Sequence, residues 1–403
     1  MLQFFGPFLP PAALFGAVFF FEQCCSSVSR RFIAWAAVTA ISLRGIFAPS
    51  PYNNPLANYL VGFFSFWYII WSTNLLLVKD LTTLGRIKKQ PFSSSTAYVL
   101  QPLPSSHSCD RLFWAMDLSL NFRAIGWNFS SRQSDHPQVG QTHLQAEIHA
   151  SKSQATGSSP ELGKAHFLWR QAWRLLVSST WFTGYPCLVR GAGIPIPAVI
   201  QHHRNYAGGH DTGSLLDLLS VATTLYMFMD GIHAIISLLA VGLLGEDQWR
   251  YPPFFGPVKY LLSGRLQDLW GKFWHDLLKD GLLSVVKGAL PWKQPKLLWS
   301  VLRIWACFVL TGAVHVSASY TVSRQPLPSL CAGVFYCLQP LGILIQMSII
   351  GAVQTLLPKS TVSIGLQRIL EFAIGLLWLY CCFPWVADDP ALRQAIGVIN
   401  YGI

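Results

Sequence analysis

Apolar positions along the chain fall into long, nearly unbroken blocks. They occupy 4–22, 32–48, 56–78, 168–188, 214–244, 298–320, 328–354 and 363–384. Crossing a bilayer core takes about 20 apolar residues in helical form, so the pattern predicts an all-α integral membrane protein with about eight transmembrane helices. Arg44 interrupts the second block, and 214–244 is long enough to tilt or to carry an interfacial end. The first block has no basic segment before it and no small-residue cleavage site, so it reads as a span and not as a removed signal. No internal repeat is visible, and one membrane domain is expected over 1–403.

Polar residues collect between the blocks and set their orientation. The stretch 79–164 holds Lys79, Arg86, Lys88, Lys89, Arg111 and Arg123; the stretch 246–296 holds Arg250, Lys259, Arg265, Lys272, Lys279, Lys287, Lys293 and Lys296. Basic residues near span ends mark cytoplasmic loops. That rule puts 23–31, 79–164 and 246–296 in the cytosol and the N-terminus in the lumen. Helix count makes 189–213 lumenal, although Arg190 and Arg204 dissent. Residues 130–164, rich in Ser, Gln, His, Thr and Gly, bring too little apolar surface to offset ordering entropy, and a flexible segment is expected there.

Composition agrees with a membrane protein. Charged residues make up 12% of the chain, against about 25% in soluble domains. The net charge of +11 then belongs to the cytosolic loops, and no nucleic-acid partner is needed to account for it. The nine cysteines lack metal-ligand spacing, so they read as small buried hydrophobes and no metal is expected.

Two segments carry candidate chemistry. In GRLQDLWGKFWHDLLKD, 264–280, the residues Leu266, Leu269, Trp270, Phe273 and Leu277 recur at helical spacing. Arg265, Asp268, Lys272, Asp276 and Lys279 fall mostly elsewhere, which predicts an interfacial amphipathic helix with tryptophan at headgroup depth. By itself such a helix is a surface anchor. The second segment, IWACFVLTGAVHVSASY from 304, buries His315 in an apolar span. At about 1.5 Å per residue it lies roughly 16 Å into a core about 30 Å thick. Ionisable groups at that depth mark functional sites; the alternative is a neutral histidine satisfied by a carbonyl, Ser317 or Ser319.

PPFFGPVKYLLSGRLQDLWGKFWHDL, 252–277, resembles the signature of the wax synthase-like branch of the membrane-bound O-acyltransferases. There a proline-aromatic stretch leads into Ser-Leu-x-x-Phe-Trp-Gly-x-x-Trp followed by His or Asn. Arg265 stands where Ser is usual, and Leu269 replaces the common Phe. The second landmark of that branch, a histidine in an apolar helix after small residues, is matched by His315 in TGAVHVSASY. RAIGWNFS, 123–130, is similar to the upstream Arg-Gly-x-Gly-Trp-x-Trp element, with Ala124 for the first Gly and Phe129 for the last Trp. The resemblance covers about half of the chain, from 120 to 320, with 246–320 as the catalytic signature region. It implies acyl transfer from a coenzyme A thioester to an alcohol in the endoplasmic reticulum membrane. Fungal relatives of this length often acetylate terpenoid or meroterpenoid hydroxyls from acetyl-CoA, and plant relatives make long-chain wax esters.

The chemistry follows from the residues. A hydroxyl needs a base in the transition state, and an uncharged imidazole suits, so His315 takes that role. The thioester oxyanion needs a positioned donor, which His275 supplies unless it orients substrate instead. Trp270 and Trp274, with Asp268, are expected along the acyl channel, where the indoles exclude water. Arg265 and Lys272, with Arg123 and Trp127, are expected at the coenzyme mouth. His275 begins at the interface and His315 near mid-bilayer, so they meet only if 264–280 slants inward or 281–290 dips and returns.

Other motifs are set aside. His202–His203 resembles an HHxxxDG motif, but Asp211 comes too late. Asp230 and His233 in MDGIH read as a polar contact between helices. With His315, Asp230 is also the basis of the competing reading, a proton-coupled transporter, which lacks any inverted repeat. Asn128–Ser130 forms a glycosylation sequon on a loop assigned to the cytosol.

Overall fold

A computed structural model of the chain describes residues 8–21, 27–49, 52–89, 98–105, 108–131, 160–191, 215–291, 295–356, 364–387 and 389–401. Helices dominate. In chain order they are α1 (Leu9–Phe19), α2 (Val28–Phe47), α3 (Pro55–Ser72), α4 (Cys109–Leu120), α5 (Pro160–Gly191), α6 (Leu215–Ser237), α7 (Lys279–Ala289), α8 (Lys296–Ser323), α9 (Pro326–Leu356), α10 (Ile364–Ala387) and α11 (Pro390–Tyr401). Local signals set several of their starts. Asn54 caps α3 through its side chain with Pro55 directly after it, and Ser27 and Ser108 cap α2 and α4.

Among the described residues, five helical stretches are long and apolar enough to cross a membrane: Pro55–Val78, Leu218–Leu243, Lys296–Ser323, Pro326–Leu356 and Gly365–Ala387. The protein is an integral membrane protein. The expected spans at 4–22, 32–48 and 168–188 coincide with α1, which is short, and with α2 and α5, which are not among those five.

Two features depart from the all-helical expectation. Gly85–Lys89 (β1) pairs antiparallel with Tyr98–Pro102 (β2), and Arg86 bridges to Trp127. The segment 264–280 is not one amphipathic helix. One turn at Leu266–Asp268 passes into a π-turn at Leu269–Phe273, the chain extends at Trp274, and α7 begins only at Lys279. Tertiary contacts from Gln346 to Gly264 and Leu266 override the helical period of the sequence here. Most of the expected flexible segment and of 189–213 lies outside the described residues, although α5 already begins at Pro160.

Helix α8 is central, packing on both α3 and α9, while α9 packs on α10 and α5 pairs with α6. One core gathers Trp67, Trp71, Leu75, Trp114 and Trp127 where α1, α3 and α4 meet. A second gathers Tyr59, Ala318, Phe383, Ala391 and Ile396 where α11 closes on α3 and α8.

Candidate active site

The segment between Pro252 and Leu278 is irregular backbone set among the helices. Such backbone is tolerated at membrane depth only where protein satisfies its polar groups. Gln346 of α9, buried, does much of that. Its Oε1 accepts from the Leu266 amide at 2.8 Å, and its Nε2 donates to the Gly264 and Glu371 carbonyls at 2.8 and 2.7 Å. Gly264 has φ +72°, and a Cβ there would strike the Phe372 backbone at 2.4 Å. The Gly256 amide donates to the Phe273 carbonyl and the Asp276 amide to the Phe254 carbonyl, at 2.8 and 3.2 Å. This folds the proline-aromatic stretch onto the Trp-His element.

That arrangement carries Trp270 inward. Its indole makes edge contacts with Phe308 of α8 and with Phe335 and Tyr336 of α9, at ring separations of 6.0, 6.2 and 6.3 Å. Trp274 lies 6.1 Å from Trp270 and 5.7 Å from His275. On α8, His315 stacks on Tyr336 with ring centres 4.3 Å apart, and Phe63 meets it edge-on at 5.5 Å. Its Nδ1 lies 3.0 Å from the Tyr59 hydroxyl. Close helix approach makes this bond possible: Ser317 donates to the Gly62 carbonyl at 3.1 Å, and a Cβ at Gly62 would lie 2.4 Å from the Ser317 oxygen. The aromatic chain Tyr336–Trp270–Trp274 therefore connects His315 to His275.

His275 keeps some accessible surface, but its Nδ1 is buried without a hydrogen-bond partner. The Trp270 Nε1 is in the same condition. Orphaned buried polar atoms cost about 1–3 kcal/mol each, a cost that a hydrogen-bonding substrate group would offset. Burial pushes the His275 imidazole down to about 4; the adjacent Asp276 carboxylate opposes this and the Arg123 guanidinium adds to it. His275 is thus a neutral ring at physiological pH, able to donate one N–H.

The remaining sequence candidates have other partners. Arg123 forms a two-point pair with Asp276, at 2.8 and 3.2 Å, and donates to the Pro252 and Pro253 carbonyls at 2.6 and 2.8 Å. It braces the strand that carries His275 and does not stand open at a coenzyme mouth. Replacing it with leucine removes the guanidinium from a buried carboxylate, a change that typically costs about 3–5 kcal/mol. An Arg123→Leu protein is therefore expected to unfold at clearly lower temperature in detergent, as read by tryptophan fluorescence. Trp127 is fully buried, edge-on to Trp114 at 4.9 Å and donating to Asp117 at 3.1 Å, so it lines no mouth in this structure. Asp268 pairs with Lys272 at 2.7 Å and accepts from Ser263 at 3.2 Å, a local brace and not a channel wall. Arg265 pairs with Glu371 at 2.9 Å. Arg265 and Lys272 remain half exposed, with side-chain exposures of 51% and 54%.

The set-aside motifs also find places. Asp230 is paired by Arg174 of α5, which also meets His233 at 3.2 Å and Gln171 at 2.8 Å. This is a polar clasp between α5 and α6. The Asn128 amide accepts from the Gly85 amide at 3.2 Å and donates to the Thr83 carbonyl at 2.9 Å, holding the start of the β-ribbon. His202 and His203 lie outside the described residues. Ala124, where the resembled motif carries Gly, has φ +50°, a region glycine adopts without strain.

Sequence reasoning missed Tyr59, Tyr336 and Gln346. Each sits in an apolar run, and only the helix crossings show what it meets. A polar residue at membrane depth was the available signal.

Comparison with known proteins finds similarity over the same part of the chain. Residues 251–338, which contain Trp270, His275, His315 and Tyr336, match the membrane bound O-acyl transferase family. Over that stretch the chain is similar to the membrane-bound O-acyltransferases. The chain is similar to acetyltransferase pyr8 of Aspergillus fumigatus, at 27% identity over 147 residues, 35% of this chain and 33% of that relative. It is also similar to O-Mevalon transferase macI of Penicillium terrestre, at 24% identity over 260 residues, 59% of this chain and 52% of that relative. The matched stretches thus span a third to a half of these curated relatives. No solved structure matches the chain.

Proposed function

We propose that the protein is an O-acetyltransferase, moving the acetyl group of acetyl-CoA to a hydroxyl of a terpenoid or meroterpenoid secondary metabolite. The observation that carries this reading is the aromatic-walled line from His315 through Tyr336 and Trp270 to His275. It falls wholly inside the stretch that matches the acyltransferase family. His315 takes the proton of the alcohol as its oxygen attacks the thioester carbonyl. The unpaired N–H groups of His275 and Trp270 serve the oxyanion. The C–S bond then breaks, and the proton passes from His315 to the departing thiolate, with no acyl-enzyme. Phe308, Phe335 and the two tryptophans keep water from the thioester. Arg265 and Lys272, half exposed, are assigned to the anionic coenzyme on their charge.

The acetyl donor rests on the name of one relative, acetyltransferase pyr8. An endoplasmic reticulum location and about eight spans, adding α1, α2 and α5 to the five long apolar helices, belong to the same proposal. Microsomes containing the protein, given acetyl-CoA or palmitoyl-CoA with a mixture of terpenoid and fatty alcohols, are expected to form acetyl esters. Palmitoyl esters of fatty alcohols as the main product would replace this reading with a wax ester synthase.

A further inference from the structure

Besides Arg123, a whole helix touches the segment that carries His275. Tyr226, Asp230, His233 and Ser237 of α6 are spaced four, three and four apart and so share one face of that helix. Tyr226 lies 4.5 Å from the Phe255 ring and stacks over Phe273 at 6.2 Å. Phe255 in turn meets Trp274 edge-on at 5.4 Å and His275 at 6.2 Å. Two turns along α6, the buried His233 meets the Phe254 ring at 4.6 Å. The Arg123 guanidinium lies over the same ring at 5.2 Å. The Phe254 carbonyl accepts from the amide of Asp276, the residue after His275.

A clasp between α5 and α6 does not require this histidine. Arg174 already holds Asp230 at two points and the Gln171 side-chain oxygen at 2.8 Å. What the imidazole adds is a ring fixed in direction. The Arg174 Nη1 donates to its Nδ1 at 3.2 Å, which leaves the proton on Nε2, 3.4 Å from the Ser237 hydroxyl. Turning the ring would break the bond from Arg174, so its contact with Phe254 is held in place.

We propose that His233 is a positioning residue for His275: it fixes Phe254, and through the Phe254 backbone it sets where the His275 N–H meets the developing oxyanion. This rests on the reading of His275 as the oxyanion donor. His233 touches neither substrate in this role and transfers no proton. Phe254 is the point of coupling. Its ring bears on His233 and Arg123, while the chain at 254–256 is bonded to 273–276 through the Phe254 carbonyl and the Gly256 amide. A drift of Phe254 therefore carries His275 with it. Oxyanion donors act at about 2.7–3.1 Å, and a misplacement of about 1 Å can cost ~10²-fold in rate. Ground-state binding of either substrate does not depend on that distance, so the effect falls on kcat.

His233→Gln in the full-length protein tests this. The glutamine oxygen can accept from Arg174 and so preserves the clasp, but the ring against Phe254 is gone. The expected result is a kcat lower on the order of tenfold. KM for acetyl-CoA and for the alcohol, and the unfolding temperature in detergent, should be unchanged. His233→Phe, which restores a ring, should recover most of the loss. The double variant with His275→Ala should be no slower than His275→Ala alone, because displacing a donor that is already absent costs nothing. A His233→Gln protein with wild-type kcat overturns the proposal, as does a rate loss that multiplies with that of His275→Ala. A loss that only follows lowered thermal stability, and that His233→Phe does not recover, also overturns it, for His233 then belongs to the clasp alone. His275→Ala by itself separates the two readings. Undiminished turnover there defeats His275 as the donor, and this proposal with it. A slow His275→Ala beside a wild-type His233→Gln defeats only the role of His233.

Discussion

His315→Ala is expected to lower ester formation by about 10²–10⁴-fold, the contribution of a positioned general base, while leaving the fold in place. The reason lies in what the side chain touches. His315 contacts Tyr59, Phe63 and Tyr336 through its ring. The packing of α8 on α3 rests on other residues: Ser317 bonds the Gly62 carbonyl, and Ala318 sits in the core with Tyr59 and Phe383. Removing the imidazole leaves those contacts intact. The unfolding temperature in detergent should therefore move little while kcat collapses. Binding of acetyl-CoA, read by equilibrium dialysis, should persist, because no coenzyme contact is assigned to His315. A variant that unfolds along with its activity would make His315 a packing residue.

Substitution of His275 separates two further roles. His275→Ala is expected to lose about 10²–10³-fold in kcat, the usual effect of removing one oxyanion donor. His275→Asn should recover part of that loss, because an amide N–H can donate from a similar position whereas it cannot carry protons at neutral pH. The neutral state of His275 adds a pH criterion. Its imidazole, pushed by burial down to about 4, stays uncharged over the physiological range. The pH dependence of the rate near neutrality should therefore be unchanged in the asparagine variant. If alanine and asparagine were equally inactive, and the pH dependence shifted, proton transfer by His275 would be the better account.

Much of the framework was readable from residue pattern. The long apolar runs at 56–78, 298–320 and 328–354 became membrane-length helices because every backbone polar group in lipid must be satisfied within its own segment. The Trp-His element and His315 could be picked out because each breaks a local expectation: tryptophans among charges, and an ionisable ring among aliphatics. The shape of the 264–280 segment was not readable. Its leucine and tryptophan spacing fits a helix, but Gln346, some 80 positions on, holds the Gly264 carbonyl and the Leu266 amide and sets the chain among the helices. No local pattern announces such a long-range partner. The β-ribbon was missed because Gly85–Lys89 is short and basic, and its pairing depends on Asn128 and Gly126 more than on its own strand propensity. Tyr59 was invisible for a similar reason, since its meeting with His315 depends on the glycine-mediated crossing at Gly62.

The most direct test of the account follows the acyl group itself. Microsomes holding the wild-type protein or His315→Ala are given acetyl-CoA labelled in the acetyl group and a panel of terpenoid alcohols, and products are identified by mass. The account predicts acetylated alcohol only with the wild-type protein, and no label retained on the protein when alcohol is withheld. Ester formed at an undiminished rate by His315→Ala, or a labelled acyl-enzyme accumulating without acceptor, would contradict it.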